Sequence, residues 1–268
     1  MQAIPPEKKT RRIAVILGPG GSSRNLLHVL TPLLRKDGGL EMQGVFIEEA
    51  ELRHAAALPF VKELCRVTFS VREFNSDQFE QVLALRIRTA QRALELLARR
   101  AGIAHTFRNV RGSVDRLLEE EVSQSDITIF EPAGTLAASL TPGTPSGAHS
   151  RRIVVYLTDL ISADATLMAA FQLADGDTRR LSILLDPRVI KDLPKLEQQM
   201  RLILSSRPGR MRELAGAGTD KFMATVRAES PCMLVLAVTK ESTCPSFIAD
   251  LRKSLRCPIC LVRFWTGP

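Results

Sequence analysis

The sequence predicts an α/β fold made of two doubly wound parallel-sheet domains. Three observations carry that prediction. At 268 residues and 45% hydrophobic, the chain can bury a substantial core and falls between one large domain and two smaller ones, with two the better expectation. Short apolar runs alternate with amphipathic stretches, the order that buries a parallel sheet between two layers of helices. The alternation then restarts: "RRIVVYL" at 151–157 matches "RRIAVIL" at 11–17 almost position for position. A period this long denotes duplicated domains, because solenoid repeats are far shorter. The expected division is 10–135 for the first domain, 136–150 for a linker and 151–265 for the second. The linker lies within "PAGTLAASLTPGTPSGAHS" (132–150), small residues punctuated by proline and glycine.

In the first half, "RIAVILG" (12–18) is short, β-branched and apolar throughout, as a strand covered on both faces should be. Leu26, Leu27, Leu30, Leu33 and Leu34 form one helical stripe behind Ser22 or Ser23 as N-cap. Asp37-Gly38-Gly39 ends that helix, and "LEMQGVFIE" (40–48) supplies the next strand. Residues 48–74 form an insertion without a counterpart in the second half. It is expected to cover the strand ends, with a partner surface as the alternative. A long amphipathic helix follows from Asn75 to Ala101, with Phe79, Val82, Leu83, Ile87, Ala90, Leu94 and Leu97 on its apolar side. "IAHTFRNV" reads as a strand, and "GSVDRLLEEEVSQS" as a helix opened by Ser113. The Glu119–Glu121 run is expected on the wet side of that helix, and "DITIFEP" returns to strand.

The second half repeats the order. After "RRIVVYLTD" come the helix "ADATLMAAFQLAD", the strand "RRLSILLD", a helix over about 193–204 and a weaker strand near "GRMRELAG". The helix "GTDKFMATVRAES", the strand "PCMLVLAV", the helix "PSFIADLRKSL" and the strand "CPICLVRF" complete it. The first half offers no apolar run for a fifth strand of its own.

Several function classes are disfavoured by composition. No apolar stretch reaches the roughly 18 residues that span a bilayer, and "MQAIPPEKKTRR" lacks a signal core, so a cytoplasmic protein without a membrane segment is expected. Five cysteines are an odd number. In Cys257-Pro258-Ile259-Cys260 the pair enters a strand, which points the two thiols apart instead of together. The net charge of +8 is dispersed: residues 1–150 hold 19 basic and 17 acidic side chains, and the rest hold 18 and 12. Nucleic-acid modules concentrate basic residues and add aromatic stacking partners, whereas aromatics are 5% here, so a solvated surface is the expectation. His28, His54, His105 and His149 are scattered without metal-ligand spacing, and nothing points to a catalytic set.

The best anion-site candidate is "GPGGSS" (18–23), after the first strand and before the first helix. Gly18, Gly20 and Gly21 could present N–H groups, and Ser22 and Ser23 hydroxyls, to a phosphate. The stretch lacks the lysine of a P-loop and the third glycine of dinucleotide folds. A tight turn followed by a serine N-cap accounts for every residue without a ligand, and that reading is preferred.

Across both halves the chain resembles the universal stress protein family. The resemblance rests on the paired first strands, on "VRGSVDRLLEEEVSQSDITIF" (110–130), and on the closing "PCMLVLAV" with "LRKSLRCPICLVR". It implies an adenine nucleotide alpha hydrolase-like sheet in each half, the two packed as a pseudo-dimer, with any ligand at the carboxyl ends of the strands near the switch in strand order. Nucleotide-binding members of that family carry an acidic residue at the end of the first strand and a G-x2-G-x9-G-[S/T] loop after the fourth. Here the first strands place Gly18 and Thr158 in the acidic slot, with Asp159 one residue later. Neither "EPAGTLAASLTPGT" nor "TKESTCPSFIADLRKSL" has the glycine spacing. Lys240 with Ser242 or Thr243 could hold an anion by side chains alone, although a loop lysine is ordinarily just solvated.

The resemblance therefore implies a non-catalytic regulatory or stress-response protein that has shed the usual phosphate loop, has no cofactor, and acts through a protein partner or self-association. Two rivals stand beside it. One is an ATP or other adenine-nucleotide binder using Gly18, Gly20, Gly21, Ser22, Ser23 and Asp159; the other is a nucleic-acid binder acting through the basic second half.

Overall fold

A computed structural model describes residues 10–18, 23–35, 39–64, 68–131, 152–204, 206–214, 216, 218–239 and 245–264. The first half runs β1 (Arg11–Leu17), α1 (Ser23–Arg35), β2 (Leu40–Glu49), α2 (Ala50–Ala57), β3 (Lys62–Leu64), β4 (Val71–Glu73), α3 (Ser76–Ala101), β5 (Ala104–Gly112), α4 (Val114–Gln124) and β6 (Ile127–Phe130). The second runs β7 (Ile153–Leu157), α5 (Ala163–Leu173), β8 (Leu181–Leu185), α6 (Leu193–Ile203), β9 (Arg210–Glu213), α7 (Thr219–Glu229), β10 (Met233–Ala237), α8 (Pro245–Ser254) and β11 (Ile259–Val262).

Nine strands form one sheet in the order β5-β2-β1-β6-β11-β10-β7-β8-β9. Every neighbouring pair is parallel except β6 and β11, which run antiparallel with Ile127 opposite Val262 and Phe130 opposite Ile259. The place beside β6 where a fifth strand of the first half would lie is thus taken by the last strand of the second. Each half is doubly wound, its strand order reversing between β1 and β6 and again between β7 and β10.

Alternation along the strands sorts side chains into two cores. Ile13, Val15 and Leu17 of β1 face one layer, with Leu30 of α1, Leu94 of α3, Leu167 of α5 and Leu196 of α6. Ala14 and Ile16 face the other, with Leu118 of α4, Phe222 of α7 and Leu251 of α8. Both cores hold residues of both halves, and α1 packs on α5 and α4 on α8 across the β6–β11 seam. The C-x-x-C thiols lie apart: Cys260 of β11 is in the first core, and Cys257, in the bend before the strand, is in the second. Burial pushes each thiol up to about 12, which keeps both protonated and inert.

The long predicted helix is α3. Asn75 caps it by accepting from the Gln78 N–H at 2.9 Å, and Gly102, at φ 68°, ends it in the left-handed region. Its buried face, Leu83, Ala90, Leu94 and Ala98, presses on β2 at Gly44, where a Cβ would come within 2.5 Å of a Leu94 methyl. The insertion divides in two. Helix α2 covers the end of β2, while β3 and β4 form a separate antiparallel hairpin that leaves Leu58, Phe60, Leu64, Phe69 and Val71 exposed around it.

Candidate functional site

Ligands of doubly wound sheets bind beyond the carboxyl ends of the strands, where the order reverses. In the first half that point lies between β1 and β6. Of the residues expected there, Gly18 directly follows β1, and a Cβ built on it meets no atom of the described residues within 4 Å. Among the described residues, packing therefore does not demand glycine at this position. Gly20, Gly21 and Ser22 lie outside the described residues. Ser23 is the first residue of α1, and its side chain lies outside them as well.

A residue that the sequence reading passed over stands opposite. Ile16 pairs with Phe130, and the next residue along is Glu131, beside the end of β1. Among the described residues its Oε2 is buried without a hydrogen-bond partner. Loss of water around the carboxyl pushes its pKa up to about 7. Such a group holds its proton near neutrality, donates a hydrogen bond when protonated, and repels anions once ionised.

The neighbouring strand ends carry a different kind of carboxylate. Glu48 of β2 is only 4% exposed, yet it accepts from Asn109 of β5, from Arg53 of α2 at 2.9 Å and from Arg111 at 3.1 Å. Burial alone would raise its pKa. The Asn109 hydrogen bond and the two guanidinium charges outweigh that and hold it below the usual carboxylate range. Arg53 also reaches Glu80 of α3 at 2.8 Å, so the cluster ties α2 to β2, β5 and α3. Its charges satisfy one another, and it fastens the insertion in place.

In the second half the reversal lies between β7 and β10. Asp159 sits two residues past β7, where its Oδ1 accepts from the Ser162 N–H at 2.7 Å and its Oδ2 from the Thr158 hydroxyl at 3.0 Å. The carboxylate is spent on the turn into α5. One strand over, Asp186 accepts from the Tyr156 hydroxyl at 2.5 Å and from the Arg188 N–H and Nε at 2.9 Å each. Burial opposes its ionisation, but these donors prevail and hold it below the ordinary aspartate value. The Tyr156 ring packs against Phe222 at 4.5 Å. Lys240, Ser242 and Thr243 lie outside the described residues.

The Glu119–Glu121 run departs from its expected place. Glu119 and Glu120 are exposed, but Glu121 is wholly buried and paired with Arg108 of β5. The second half repeats the device: Glu229 of α7 is gripped by Arg152 at 3.5 Å, Arg210 at 3.3 Å and Arg212 at 3.2 Å. Both are structural ion pairs, joining α4 to β5 in the first half and α7 to β9 and the start of β7 in the second. His54 and His105 are exposed; the His28 side chain and His149 lie outside the described residues. Among the described residues no cluster of histidine, cysteine and carboxylate side chains could hold a metal.

The fold and these strand ends define an α/β protein with a large, mostly parallel, doubly wound sheet. No helix among the described residues is long and apolar enough to cross a membrane. No known family model matches the chain, and no curated protein matches it. Among solved structures it is similar to a universal stress protein from Archaeoglobus fulgidus DSM 4304, at 10% identity and a TM-score of 0.49, over 94% of this chain and 97% of that one. It is also similar to the Anabaena protein HepE in complex with UDP and glucose, at 13% identity and a TM-score of 0.19, over 85% of this chain and 74% of that one. The fold class rests on the strand order and registers given above, not on these likenesses.

Proposed function

We propose that the chain is a tandem protein of the universal stress type that regulates by association and not by binding or hydrolysing a nucleotide. Residues 10–135 and 151–265 are its two units, joined by a linker over 136–150 and packed as a pseudo-dimer. A cytoplasmic location belongs to the same reading.

The observation that supports it best is the buried Glu131 carboxyl at the first reversal point. A phosphate chain there would lie against an acid that has no cation beside it among the described residues, and one of the two would have to give up its charge. At the second reversal point Asp159 turns both oxygens to its own chain. The exposed apolar side chains around the β3–β4 hairpin, with Phe60 96% exposed, favour a protein partner or self-association. Against the nucleic-acid alternative, Arg210 and Arg212 of the basic second half are both paired with Glu229.

Nucleotide binding through GPGGSS is the second reading, favoured by Gly18 at the end of β1, where a Cβ would meet no atom of the described residues. Thermal unfolding with and without Mg-ATP separates the two, because a ligand at about 100 times its Kd stabilises the native state by roughly 2.7 kcal/mol. We expect the melting temperature to stay unchanged up to millimolar Mg-ATP. A saturable rise would transfer the function to nucleotide binding.

A further inference from the structure

Strand β9 ends the sheet on the side of the second half, and its outer edge pairs with no strand among the described residues. All four of its residues are exposed, whereas β8 beside it is buried throughout. Parallel pairing gives the backbone groups of alternate residues to one neighbour. Leu214 donates its N–H to the Leu185 carbonyl at 2.9 Å, so Arg212 and Arg210 turn theirs toward β8 as well. The N–H and C=O groups of Met211 and Glu213 therefore point outward, the arrangement that accepts a further strand.

Beside that edge, between β9, α6 and the connection that joins them, lies a cavity of about 510 Å³, within the range of ligand sites. Its apolar side is made by Met200 and Leu204, both buried, and by Met211, which is 41% exposed. Its polar side carries Glu197, Arg201 and Arg207. Neither arginine makes a hydrogen bond or ion pair with another described residue, and Glu197, one helical turn before Arg201, does not reach it. Two guanidinium groups with their donors unspent thus stand against one carboxylate.

We infer that the β9 edge and this cavity bind an extended acidic peptide segment of a partner protein. The segment adds a strand beside β9 through its backbone, and its alternate side chains enter the cavity. One of these is apolar and lies against Met200, Leu204 and Met211; the other, two residues away, is a carboxylate held by Arg201 and Arg207. A second copy of this chain fits less well, because its own β9 would set arginine against arginine. The inference rests on the reading that the chain acts through a protein partner, and it names the surface.

The test follows the fluorescence anisotropy of a labelled octapeptide, two repeats of Leu-Thr-Asp-Thr, titrated with the full chain at constant ionic strength. Saturable binding is expected, and lysine in place of aspartate should abolish it. Arg201→Gln and Arg207→Gln should each weaken it about tenfold or more, as loss of a charge-assisted hydrogen bond does. Met211→Pro removes an outward N–H without touching the β8 ladder, and should abolish binding in a chain that still melts cooperatively. Two peptides N-methylated at alternate residues make the same test on the parent chain: the one whose methyl groups face β9 should fail to bind. The proposal is overturned if no binding is seen up to about 1 mM, if neither arginine variant weakens it, or if both N-methylated peptides bind as the parent peptide does. A dimer in sedimentation that Met211→Pro disperses would make the occupant a second copy, and would overturn it too. Loss of peptide binding without a Mg-ATP melting shift overturns this surface alone, whereas a Mg-ATP shift beside intact peptide binding overturns only the nucleotide-free reading.

Discussion

Glu131 has a pKa of about 7 in the folded chain against an ordinary value of 4.5. Below pH 4.5 the carboxyl is protonated in both the folded and unfolded states and contributes nothing to the pH dependence of stability. Between 4.5 and 7 the unfolded chain releases the proton while the folded chain keeps it, so stability falls as pH rises and the loss is complete above pH 7. At 1.36 kcal/mol per unit, the difference amounts to about 3 kcal/mol. Glu131→Gln removes the ionisation and should stabilise the chain at pH 8 by up to that amount, with little effect at pH 4.5. Urea denaturation at the two pH values checks this, and a variant no more stable at pH 8 than the parent would contradict the assignment. Glu48, on the other side of β1, behaves oppositely because Asn109, Arg53 and Arg111 donate to its carboxylate.

At the scale of elements, close approach of backbones sets the tightest limits. Gly209, just before β9, donates its N–H to the Thr178 carbonyl at 2.9 Å, and a Cβ there would collide with the Arg179 carbonyl oxygen. Backbone cannot yield as a side chain can. Gly209→Ala should therefore destabilise by about 1–3 kcal/mol and loosen β9 from β8. Gly44→Ala should cost less, since the atoms it meets are the ends of the Leu94 and Phe107 side chains. Chemical denaturation of both variants tests the order. An equal or reversed effect would mean that the connection ahead of β9 is free to shift.

For the whole molecule, the decisive feature is a sheet whose two cores both cross the β6–β11 seam. Removing either half would uncover a strand edge and strip one side from each core, so neither half has a complete interior of its own. We expect one calorimetric transition, with the calorimetric and van't Hoff enthalpies in agreement. Two resolved transitions would show the halves to be independent folding units.

The strands and helices follow from local periodicity, and periodicity is written in the sequence: the apolar Ile13–Leu17 run of β1, the Leu83–Leu94 stripe of α3 and the restart at β7 all fall where the pattern puts them. Cys257 and Cys260 also lie apart, in separate cores, as the extended entry into β11 leads one to expect. Of the candidate site, the position at the strand ends was legible, but the acid that faces it was not. Glu131 looks like any loop glutamate until its surroundings remove the water, and Glu121 sits in a charged run until Arg108 meets it from β5. The pairing of Ile127 with Val262 joins residues more than a hundred positions apart, and no local pattern encodes it. Alternation and amphipathicity belong to neighbours in the chain, and so the sequence by itself determined them. Desolvation, ion pairing and the partner of an open strand edge belong to neighbours in space, and the tertiary structure alone decided those.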